Sequence, residues 1–256
     1  MKAVILAGGM GTRLREETEF RPKPMVEIGG RPILWHIMKT LSVQGINDFV
    51  ICLGYKSDHI KDFFLNYEAR THDITVKLGE NEGRMQHSYS SSENWTVTLA
   101  NTGDLTMTGG RINRIKKYVL GEPFLCTYGD CLADINLNEL TKFHNSHGKT
   151  ATVTSVLPTN RFGAMQISTN GLVTEFAEKP VSEKRVNGGY FIFEPKVFDY
   201  LSDESTLEKE PLERMSESGE LMAYSHSGFW QPMDTYREVI ELNKLWDSDQ
   251  APWKIW

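Results

Sequence analysis

The sequence predicts an α/β fold with a mixed, mainly parallel sheet that is flanked by helices and joined to a smaller β-rich lobe. Short runs of β-branched residues alternate with amphipathic stretches in the first half of the chain, which is typical of repeated βαβ units. Strand patterns dominate after residue 149, which predicts the smaller lobe. No Pro-, Gly- or Ser-rich linker separates the halves, so we expect one domain over residues 1–256. We divide it into lobes over about 1–148 and 149–234, followed by a C-terminal helix and tail over 235–256.

Strands and helices of the first half follow one another as crossover connections require. Apolar residues from Ile33 to Leu41 recur at helical spacing and stop before Gly45, and those from Ile60 to Tyr67 repeat the pattern. The polar, serine-rich stretch over residues 80–94 predicts a loop inserted at one end of the sheet. The predicted strands lie at residues 2–7, 48–53, 73–78 and 123–128.

The second half is predicted to start with a helix at residues 137–147 and to end with a helix from about Thr235 to Trp246. The last six residues, 251–256, carry more apolar surface than a free terminus usually shows. We expect this tail to pack either on a neighbouring subunit or back onto the core. The predicted strands of this half lie at residues 150–157, 164–168, 172–177 and 189–193.

The charge balance of the chain is acidic, because 28 Lys and Arg residues oppose 34 Asp and Glu residues to give a net charge of −6. No basic run interrupts this average, so we expect neither a nucleic acid nor a membrane as a partner. Cys52, Cys126 and Cys131 lie in strand-like contexts without metal-ligand spacing, which indicates neither a disulfide framework nor a zinc site. The apolar run at residues 3–7 is shorter than the core of a signal peptide, and we expect a cytoplasmic, reduced protein.

A glycine-rich loop follows the first predicted strand, at the edge where open parallel sheets bind ligands. It reads Ala-Gly-Gly-Met-Gly-Thr-Arg-Leu over residues 7–14, without the Lys-Ser/Thr of a Walker A loop and with Leu14 where a dinucleotide fingerprint needs glycine. Three glycines let main-chain N–H groups close on an anion, and Thr12 and Arg13 add side-chain donors. Lys23 stands between two prolines and can reach the same phosphates. The alternative is a plain turn at a strand end with a surface arginine and lysine.

The string Gly-Gly-Met-Gly-Thr-Arg-Leu, followed by Arg-Pro-Lys-Pro, resembles the signature of the sugar-1-phosphate nucleotidyltransferases. Many members of that family have proline shortly after the Arg-Leu pair, whereas this chain has Arg-Glu-Glu-Thr at residues 15–18, which resembles the branch that acts on CTP and glucose 1-phosphate. The resemblance implies a Rossmann-like fold. It also implies a nucleotide site made of Leu6, Ala7, Gly8, Gly9, Met10, Gly11, Thr12, Arg13, Lys23, Gly110, Arg111 and Gly129.

Two aspartates are candidate metal ligands. Asp130 follows a buried-looking strand and would lie at the same sheet edge as the glycine loop, although an aspartate there can also open a turn. Asp234 can be read as an N-cap, but Thr235 and Glu238 already form a capping box for the last helix and leave its carboxylate available. Two carboxylates from distant segments suit Mg²⁺, which adds phosphate oxygens and water. In the resembled family, aspartates at these positions hold the catalytic Mg²⁺.

The sugar phosphate is expected at the motif Glu178-Lys179-Pro180, which without the resemblance is an ordinary charged pair at a strand end. The resemblance assigns Glu178 to sugar hydroxyls and Lys179 to the sugar phosphate. It also places Gly163 beside the sugar. Asn187 and Gly188 fit a close approach of the main chain to the sugar ring, although a plain turn explains them equally well, and Trp230 is close enough in sequence to Asp234 to line the pocket. The second glycine-rich segment, ending in Gly110 and Arg111, is expected against the nucleobase or is a simple helix start.

Together these motifs predict an enzyme that transfers a cytidylyl group from CTP to α-D-glucose 1-phosphate with Mg²⁺, giving CDP-glucose and pyrophosphate. The alternatives are the same chemistry with dTTP, UTP or GTP, and a catalytically silent relative that only binds; Leu14 disfavours a dinucleotide-dependent oxidoreductase. The resemblance also implies a homo-oligomer, with a hexamer among the expected assemblies, and a role in making sugars for surface polysaccharide such as the lipopolysaccharide O-antigen. The residues expected to carry catalysis are Arg13, Lys23, Asp130, Lys179 and Asp234.

Overall fold

The computed structural model describes residues 1–76, 85–87, 93–159, 163–178, 182 and 184–256. Three short 3₁₀ turns accompany the elements below, at Thr12–Leu14, Lys23–Met25 and Pro195–Asp199. The helices are α1 (Arg15–Thr18), α2 (Ile33–Ser42), α3 (Ser57–Leu65), α4 (Tyr67–Thr71), α5 (Thr108–Arg114), α6 (Lys116–Val119), α7 (Leu137–His147), α8 (Glu210–Glu217) and α9 (Tyr236–Asp247). The strands are β1 (Lys2–Leu6), β2 (Glu27–Ile28), β3 (Arg31–Pro32), β4 (Asp48–Leu53), β5 (Ile74–Val76), β6 (Met85–His87), β7 (Thr96–Asn101), β8 (Phe124–Tyr128), β9 (Cys131–Ala133), β10 (Ala151–Val156), β11 (Ala164–Ile167), β12 (Val173–Ala177), β13 (Val186–Phe193), β14 (Leu221–Ser225) and β15 (Trp230–Pro232).

The central sheet has the order β14-β10-β13-β8-β1-β4-β7. Strands β8, β1, β4 and β7 pair in parallel, as do β10 and β14, whereas β13 runs antiparallel to both of its neighbours. The predicted mixed, mainly parallel sheet is therefore confirmed. Because β1 has a neighbour on each side, its carboxyl end and the glycine loop that follows lie in the middle of one sheet edge.

Both faces of the sheet are covered, which explains why the central strands are apolar at successive positions. Along β1, Ala3 and Ile5 belong to the core that contains α2, α7 and α9, and Val4 and Leu6 belong to the core that contains α5, α6 and α8. Each side chain of β1 after Lys2 is buried. The first strand is thus a rigid support for the loop at its end.

A strand is present within the predicted range 73–78, but its expected place in the parallel sheet is wrong. The structure has β5 at Ile74–Val76, paired antiparallel with β6 in a separate two-stranded sheet, and residues 77 and 78 lie outside the described ranges. The edge of the central sheet is instead β7, which the sequence analysis did not predict. Most of the predicted loop at 80–94 is not described, but β6 falls within it. The alternating pattern of residues 73–78 marks a strand without saying which strand it pairs with.

The strands predicted for the second half are present, with small changes at their ends. Two of them, β10 and β13, join the central sheet, and β11 and β12 form an exposed antiparallel hairpin beside it. The smaller β-rich part therefore shares strands with the main sheet and adds a separate two-stranded sheet.

The C-terminal tail packs back onto the core of its own chain, which is one of the two arrangements expected for it. Trp253 is 0% exposed, and its indole N–H donates to His36 Nδ1 at 3.3 Å. Thr40 of α2 donates its hydroxyl to the carbonyl oxygen of Trp253. All three cysteines are free and buried, in agreement with the predicted absence of a disulfide framework. In the described ranges, no helix combines the length and apolar character that crossing a bilayer requires.

Candidate active site

A cleft of about 620 Å³ opens at the carboxyl ends of β1 and β8. The glycine loop forms one wall. The end of β8, the start of β13, the residues around β15 and the start of α5 with Glu208 form others. Most of the residues expected from the sequence to bind nucleotide or sugar line this cleft: Leu6, Ala7, Gly8, Gly9, Gly11, Thr12, Arg13, Lys23, Arg111, Gly129, Asp130, Asn187, Gly188, Trp230 and Asp234. Of the other expected residues within the described ranges, Met10, Gly110, Gly163 and Glu178 lie off its walls.

The two aspartates meet because β9 and β15 pair antiparallel. Pro232 lies opposite Cys131 in this pairing, and the N–H of Met233 donates to the carbonyl oxygen of Asp130 at 2.9 Å. Asp130 precedes one strand and Asp234 follows the other, so the pairing puts both carboxylates at the same end of the ribbon. Main-chain hydrogen bonds therefore set the distance between the acids.

Helix α9 begins immediately after Asp234, with the capping box that the sequence predicts. Thr235 is the N-cap, and Glu238 Oε2 accepts from the N–H groups of both Asp234 and Thr235, at 2.6 and 2.8 Å. The first turn of the helix is thus closed without the carboxylate of Asp234. That carboxylate is only 13% exposed and faces the cleft.

Lys23 lies between the two aspartates. Its Nζ is 2.6 Å from Asp130 Oδ2 and 2.7 Å from Asp234 Oδ1, and its side chain is 9% exposed. Burial lowers the pKa of Lys23, but the charges and hydrogen bonds of the two carboxylates outweigh burial and raise the pKa above its ordinary value. The ammonium is therefore fully charged at neutral pH and holds the two acids together.

Arg13 completes this charged cluster from the glycine loop. Its Nη1 lies 2.6 Å from Asp234 Oδ2, while most of its side chain, 68%, is open to solvent in the cleft. Four of the five residues expected to carry catalysis thus converge on one place, from positions spread over most of the chain. The fifth, Lys179, lies outside the described residues.

The donor set at this cluster fits a hard divalent cation. Carboxylate oxygens of Asp130 and Asp234 converge on a single cationic nitrogen, so the two acids are already arranged around positive charge. Across the part of the chain that the structure describes, no three His, Cys, Asp or Glu side chains are grouped to hold a metal by themselves. Mg²⁺ needs only one or two protein carboxylates when phosphate oxygens and water complete its shell. The site therefore fits a metal that binds together with a phosphorylated substrate.

The structure explains why two positions of the loop are occupied by glycine. Gly11 has a φ of +61°, a left-handed conformation, and starts the 3₁₀ turn that carries Arg13. A Cβ on Gly8 would lie 2.1 Å from Nη1 of Arg111. Gly8 therefore makes room for a buried arginine in addition to any contact with a ligand.

Arg111 holds the glycine loop in place through hydrogen bonds to main-chain carbonyl oxygens. Its guanidinium is buried and donates to the carbonyl oxygens of Gly8, Leu53 and Gly103, at 2.9, 3.0 and 2.7 Å. Gly110 does not reach the cleft, because the helix packs there against another segment and a Cβ would lie 2.2 Å from the carbonyl oxygen of Asp203. Arg111 also lines the cleft, so its expected contact with the nucleobase stays a prediction, whereas Gly110 packs within the protein, off the wall of the cleft.

Only some of the residues expected to bind the sugar phosphate line the cleft. Trp230 Nε1 donates to the carbonyl oxygen of Gly188 at 2.7 Å, which joins β15 to the start of β13. Gly163 and Glu178 lie together at one end of the exposed hairpin, since a Cβ on Gly163 would be 3.1 Å from Glu178 Oε2. Neither residue lines the cleft, so their expected contact with the sugar stays a prediction.

Sequence reasoning missed one group of polar side chains in the cleft. Tyr128, Thr108 and Glu208 line it, and both hydroxyls donate to the carboxylate of Glu208. Burial, with the nearby charge of Glu208, raises the pKa of Tyr128, so the phenol keeps its proton at neutral pH. The sequence gives no signal for Glu208, which stands in a polar stretch among several exposed acids.

Comparison with known proteins identifies the family. Residues 2–245 match the family described as nucleotidyl transferase. A glucose-1-phosphate cytidylyltransferase of Salmonella typhi is 52% identical over 259 aligned residues, covering 100% of both proteins. A probable glucose-1-phosphate cytidylyltransferase of Bacillus subtilis is 45% identical, again over 100% of both. The crystal structure of HddC from Yersinia pseudotuberculosis shares the fold, with a TM-score of 0.69 at 24% identity over 96% of this chain and 99% of that one. The resemblance carried by the glycine loop is thus confirmed, and the chain belongs to the nucleotidyl transferase family.

Proposed function

We propose that the protein transfers the cytidylyl group of CTP to α-D-glucose 1-phosphate and releases CDP-glucose and pyrophosphate. The observation that carries this proposal is the 52% and 45% identity, over the whole chain, to two proteins named as glucose-1-phosphate cytidylyltransferases. The cleft supports it independently, because Arg13 and Lys23 place positive charge where two phosphorylated substrates would meet. The substrates implied are metabolites of the cytoplasm, and we propose that location for the enzyme.

The reaction needs no nucleophile from the protein. A phosphate oxygen of glucose 1-phosphate attacks the α-phosphorus of CTP, and the bond from that phosphorus to the bridging oxygen of pyrophosphate breaks in line. Catalysis then consists of positioning the two substrates and offsetting their negative charge. Arg13 and the glycine loop are suited to the departing pyrophosphate, since both lie at the end of β1.

Asp130 and Asp234 would hold the Mg²⁺ that the family uses. When bound, the ion supplies positive charge to the phosphate oxygens of the nucleotide. The protein's own part is to hold the two carboxylates at a fixed separation, which the β9–β15 pairing and the capping box of α9 achieve. Lys23 adds a further charge at the same place, and its buried position limits how far the ammonium can move.

The sugar phosphate is proposed to bind between the cleft and the hairpin β11–β12. Asn187, Gly188 and Trp230 border the cleft on this side, and Glu178 and Gly163 lie at the end of the hairpin. Lys179 follows Glu178 directly in the sequence and is proposed to bind the phosphate of the sugar. We accordingly propose a single domain whose residues 1–148 serve the nucleotide and whose residues 149–234 serve the sugar phosphate.

The test is a panel assay of pyrophosphate release. CTP, dTTP, UTP and GTP are each combined with glucose 1-phosphate and with other hexose 1-phosphates, with Mg²⁺ and with a chelator. The proposal predicts the highest kcat/KM for CTP with glucose 1-phosphate and no release in the chelator. A higher kcat/KM with another triphosphate would show that the enzyme belongs to another branch of the family. Absence of release in every combination would support a catalytically silent binding protein.

A further inference from the structure

One wall of the cleft carries a negative charge that the handling of phosphates does not require. Glu208 lines the cleft, and its Oε2 accepts from the hydroxyl of Thr108 at 2.6 Å. Its other oxygen accepts from the phenol of Tyr128. Both donors are uncharged hydroxyl groups, so these two bonds leave the charge of the carboxylate unneutralised.

The segment that carries Glu208 is fastened to helix α5. The N–H of Leu207 donates to Thr108 Oγ1 at 2.9 Å, so one hydroxyl connects the main chain before Glu208 with its carboxylate. Further along the helix, Asn113 Nδ2 donates to Asp203 Oδ1 at 2.8 Å. Glu208 therefore occupies a defined position although its side chain is exposed to the cleft.

The glycine pair of α5 is what permits this close approach. The N–H of Gly110 donates to the carbonyl oxygen of Ser205 at 3.0 Å. A Cβ on Gly109 would lie 2.4 Å from Ser205 Oγ, and one on Gly110 would lie 2.2 Å from the carbonyl oxygen of Asp203. The glycine pair of this motif thus positions the segment that carries Glu208.

Charge decides which part of a nucleotide can lie against Glu208. A carboxylate repels phosphates, and the proposed phosphate site is the glycine loop with the cluster of Arg13, Lys23 and the two aspartates. Glu208 is bound instead to Thr108 and Tyr128, which do not belong to that cluster. An ionised carboxylate has room for about four hydrogen bonds and accepts only. Two of these are used by Thr108 and Tyr128, so the remaining acceptor sites suit an uncharged N–H or O–H donor.

We propose that Glu208 binds the nucleoside half of the nucleotide by accepting a hydrogen bond from one of its uncharged N–H or O–H groups. This inference rests on the proposed function, which makes CTP the nucleotide. The donor is either the 4-amino group of cytosine, which uracil replaces by a carbonyl oxygen, or a hydroxyl of the ribose. An amino donor would make Glu208 a determinant of base choice, because a carbonyl oxygen facing a carboxylate has no proton to share.

The experiment compares wild type with Glu208→Gln, which keeps the shape of the side chain and removes its charge. The kcat/KM is measured for CTP, UTP, 2′-deoxy-CTP and 3′-deoxy-CTP, together with the KM for glucose 1-phosphate. We expect kcat/KM for CTP to fall by about 10- to 100-fold, which is typical of a lost hydrogen bond to a charged group. The analogue that lacks the donor should lose much less: UTP if the donor is the amino group, a deoxy analogue if it is a ribose hydroxyl. The KM for glucose 1-phosphate should not change.

Two further variants make the result specific. Glu204→Gln changes an exposed acid of the same segment and should leave every kinetic constant at its wild-type value. Thr108→Val removes one of the bonds that position Glu208 and should give a smaller loss with the same pattern among nucleotides. Calorimetric titration of each variant with CTP gives the change in its dissociation constant separately from any change in catalysis.

The outcomes separate the two proposals. If wild type fails to release pyrophosphate from CTP, the proposed function is wrong and this inference falls with it. If wild type turns over CTP but Glu208→Gln lowers kcat/KM equally for all four nucleotides, or changes only the KM for glucose 1-phosphate, the inference alone is overturned.

Discussion

The main-chain N–H of Met233 donates to the carbonyl oxygen of Asp130 at 2.9 Å. This bond extends the β9–β15 pairing and brings the end of one strand beside the start of the other. The carboxylates of Asp130 and Asp234 are neighbours as a consequence, and Lys23 bridges them. Because the main chain sets this arrangement, side chains of the cluster can be changed without displacing the rest of the site.

Asp234→Asn tests whether the second carboxylate takes part in catalysis. The capping box of Thr235 and Glu238 closes α9 without this carboxylate, so the variant should fold. We expect the rate of pyrophosphate release at saturating substrates to fall by about 10²-fold or more, the size of effect seen when one preorganised charge-stabilising group is removed. The variant should also bind Mn²⁺, used as a probe for Mg²⁺, more weakly in calorimetry with CTP present.

The matched control is Asp247→Asn, which removes an exposed carboxylate at the other end of the same helix. It should keep both the wild-type rate and the wild-type Mn²⁺ affinity. A wild-type rate in Asp234→Asn would show that this carboxylate is not needed for catalysis.

Arg13→Ala and Lys179→Ala should affect different substrates. Arg13 lies at the glycine loop beside Asp234, so its loss should lower kcat/KM for CTP, whereas loss of Lys179 should raise the KM for glucose 1-phosphate. Each effect is expected to be on the order of 10²-fold. Steady-state kinetics with each substrate varied in turn gives the two constants. Arg15→Ala, an exposed arginine two positions from Arg13, is the control and should behave as wild type.

Equal and small effects of the two substitutions on both substrates would show that the roles are assigned wrongly. The comparison is informative because Arg13 belongs to the charged cluster and Lys179 follows the end of the hairpin β11–β12.

Local motifs are what the sequence predicts well in this protein. The loop at residues 7–14, the acid after β8 and the capping box at Thr235 each depend on neighbouring residues, and each is found where it is predicted. The rule that ligands bind at the carboxyl ends of parallel strands predicts that these motifs converge, and the position of Asp130 follows it.

Features that depend on a partner distant in sequence were not predicted. The pattern of β7 does not reveal that it, rather than β5, pairs with β4. The sequence cannot show that the main chain of Asp203 and Ser205 packs against the glycine pair at 109–110. Glu208 was missed for the same reason: its importance comes from where that packing places it.

Trp253→Ala tests how much the C-terminal tail contributes to stability. Trp253 is 0% exposed and packs against Phe229 and His36, with ring centroids 5.5 and 6.1 Å away. Removing a fully buried tryptophan leaves a large cavity, so we expect the free energy of unfolding to fall by about 3–5 kcal/mol. Urea denaturation followed by circular dichroism measures it. Ile255→Ala, at a position that is 46% exposed, should cost far less, and equal losses in the two variants would show that the tail is not anchored through Trp253.

His36 should make the protein less stable in mild acid. The imidazole is buried, its Nε2 donates to the carbonyl oxygen of Ile28 at 2.7 Å, and its Nδ1 accepts from Trp253. Burial lowers the pKa of His36 from 6.5 to about 4 in the folded protein. Between these two values the unfolded chain binds a proton that the folded chain does not, so the stabilising contribution is complete above pH 6.5 and is lost as the pH falls towards 4.

The size of this effect is measured against His36→Gln, whose amide can also donate to Ile28 and accept from Trp253 but does not titrate. From pH 7 to pH 5, the free energy of unfolding of wild type should fall by about 2 kcal/mol more than that of the variant. His59→Gln, which replaces an exposed histidine on α3, should retain the wild-type dependence on pH. Equal losses in wild type and His36→Gln would mean that groups other than His36 cause the acid sensitivity. A histidine lowers the free energy of unfolding between pH 7 and pH 5 only if the unfolded chain binds a proton there that the folded chain does not.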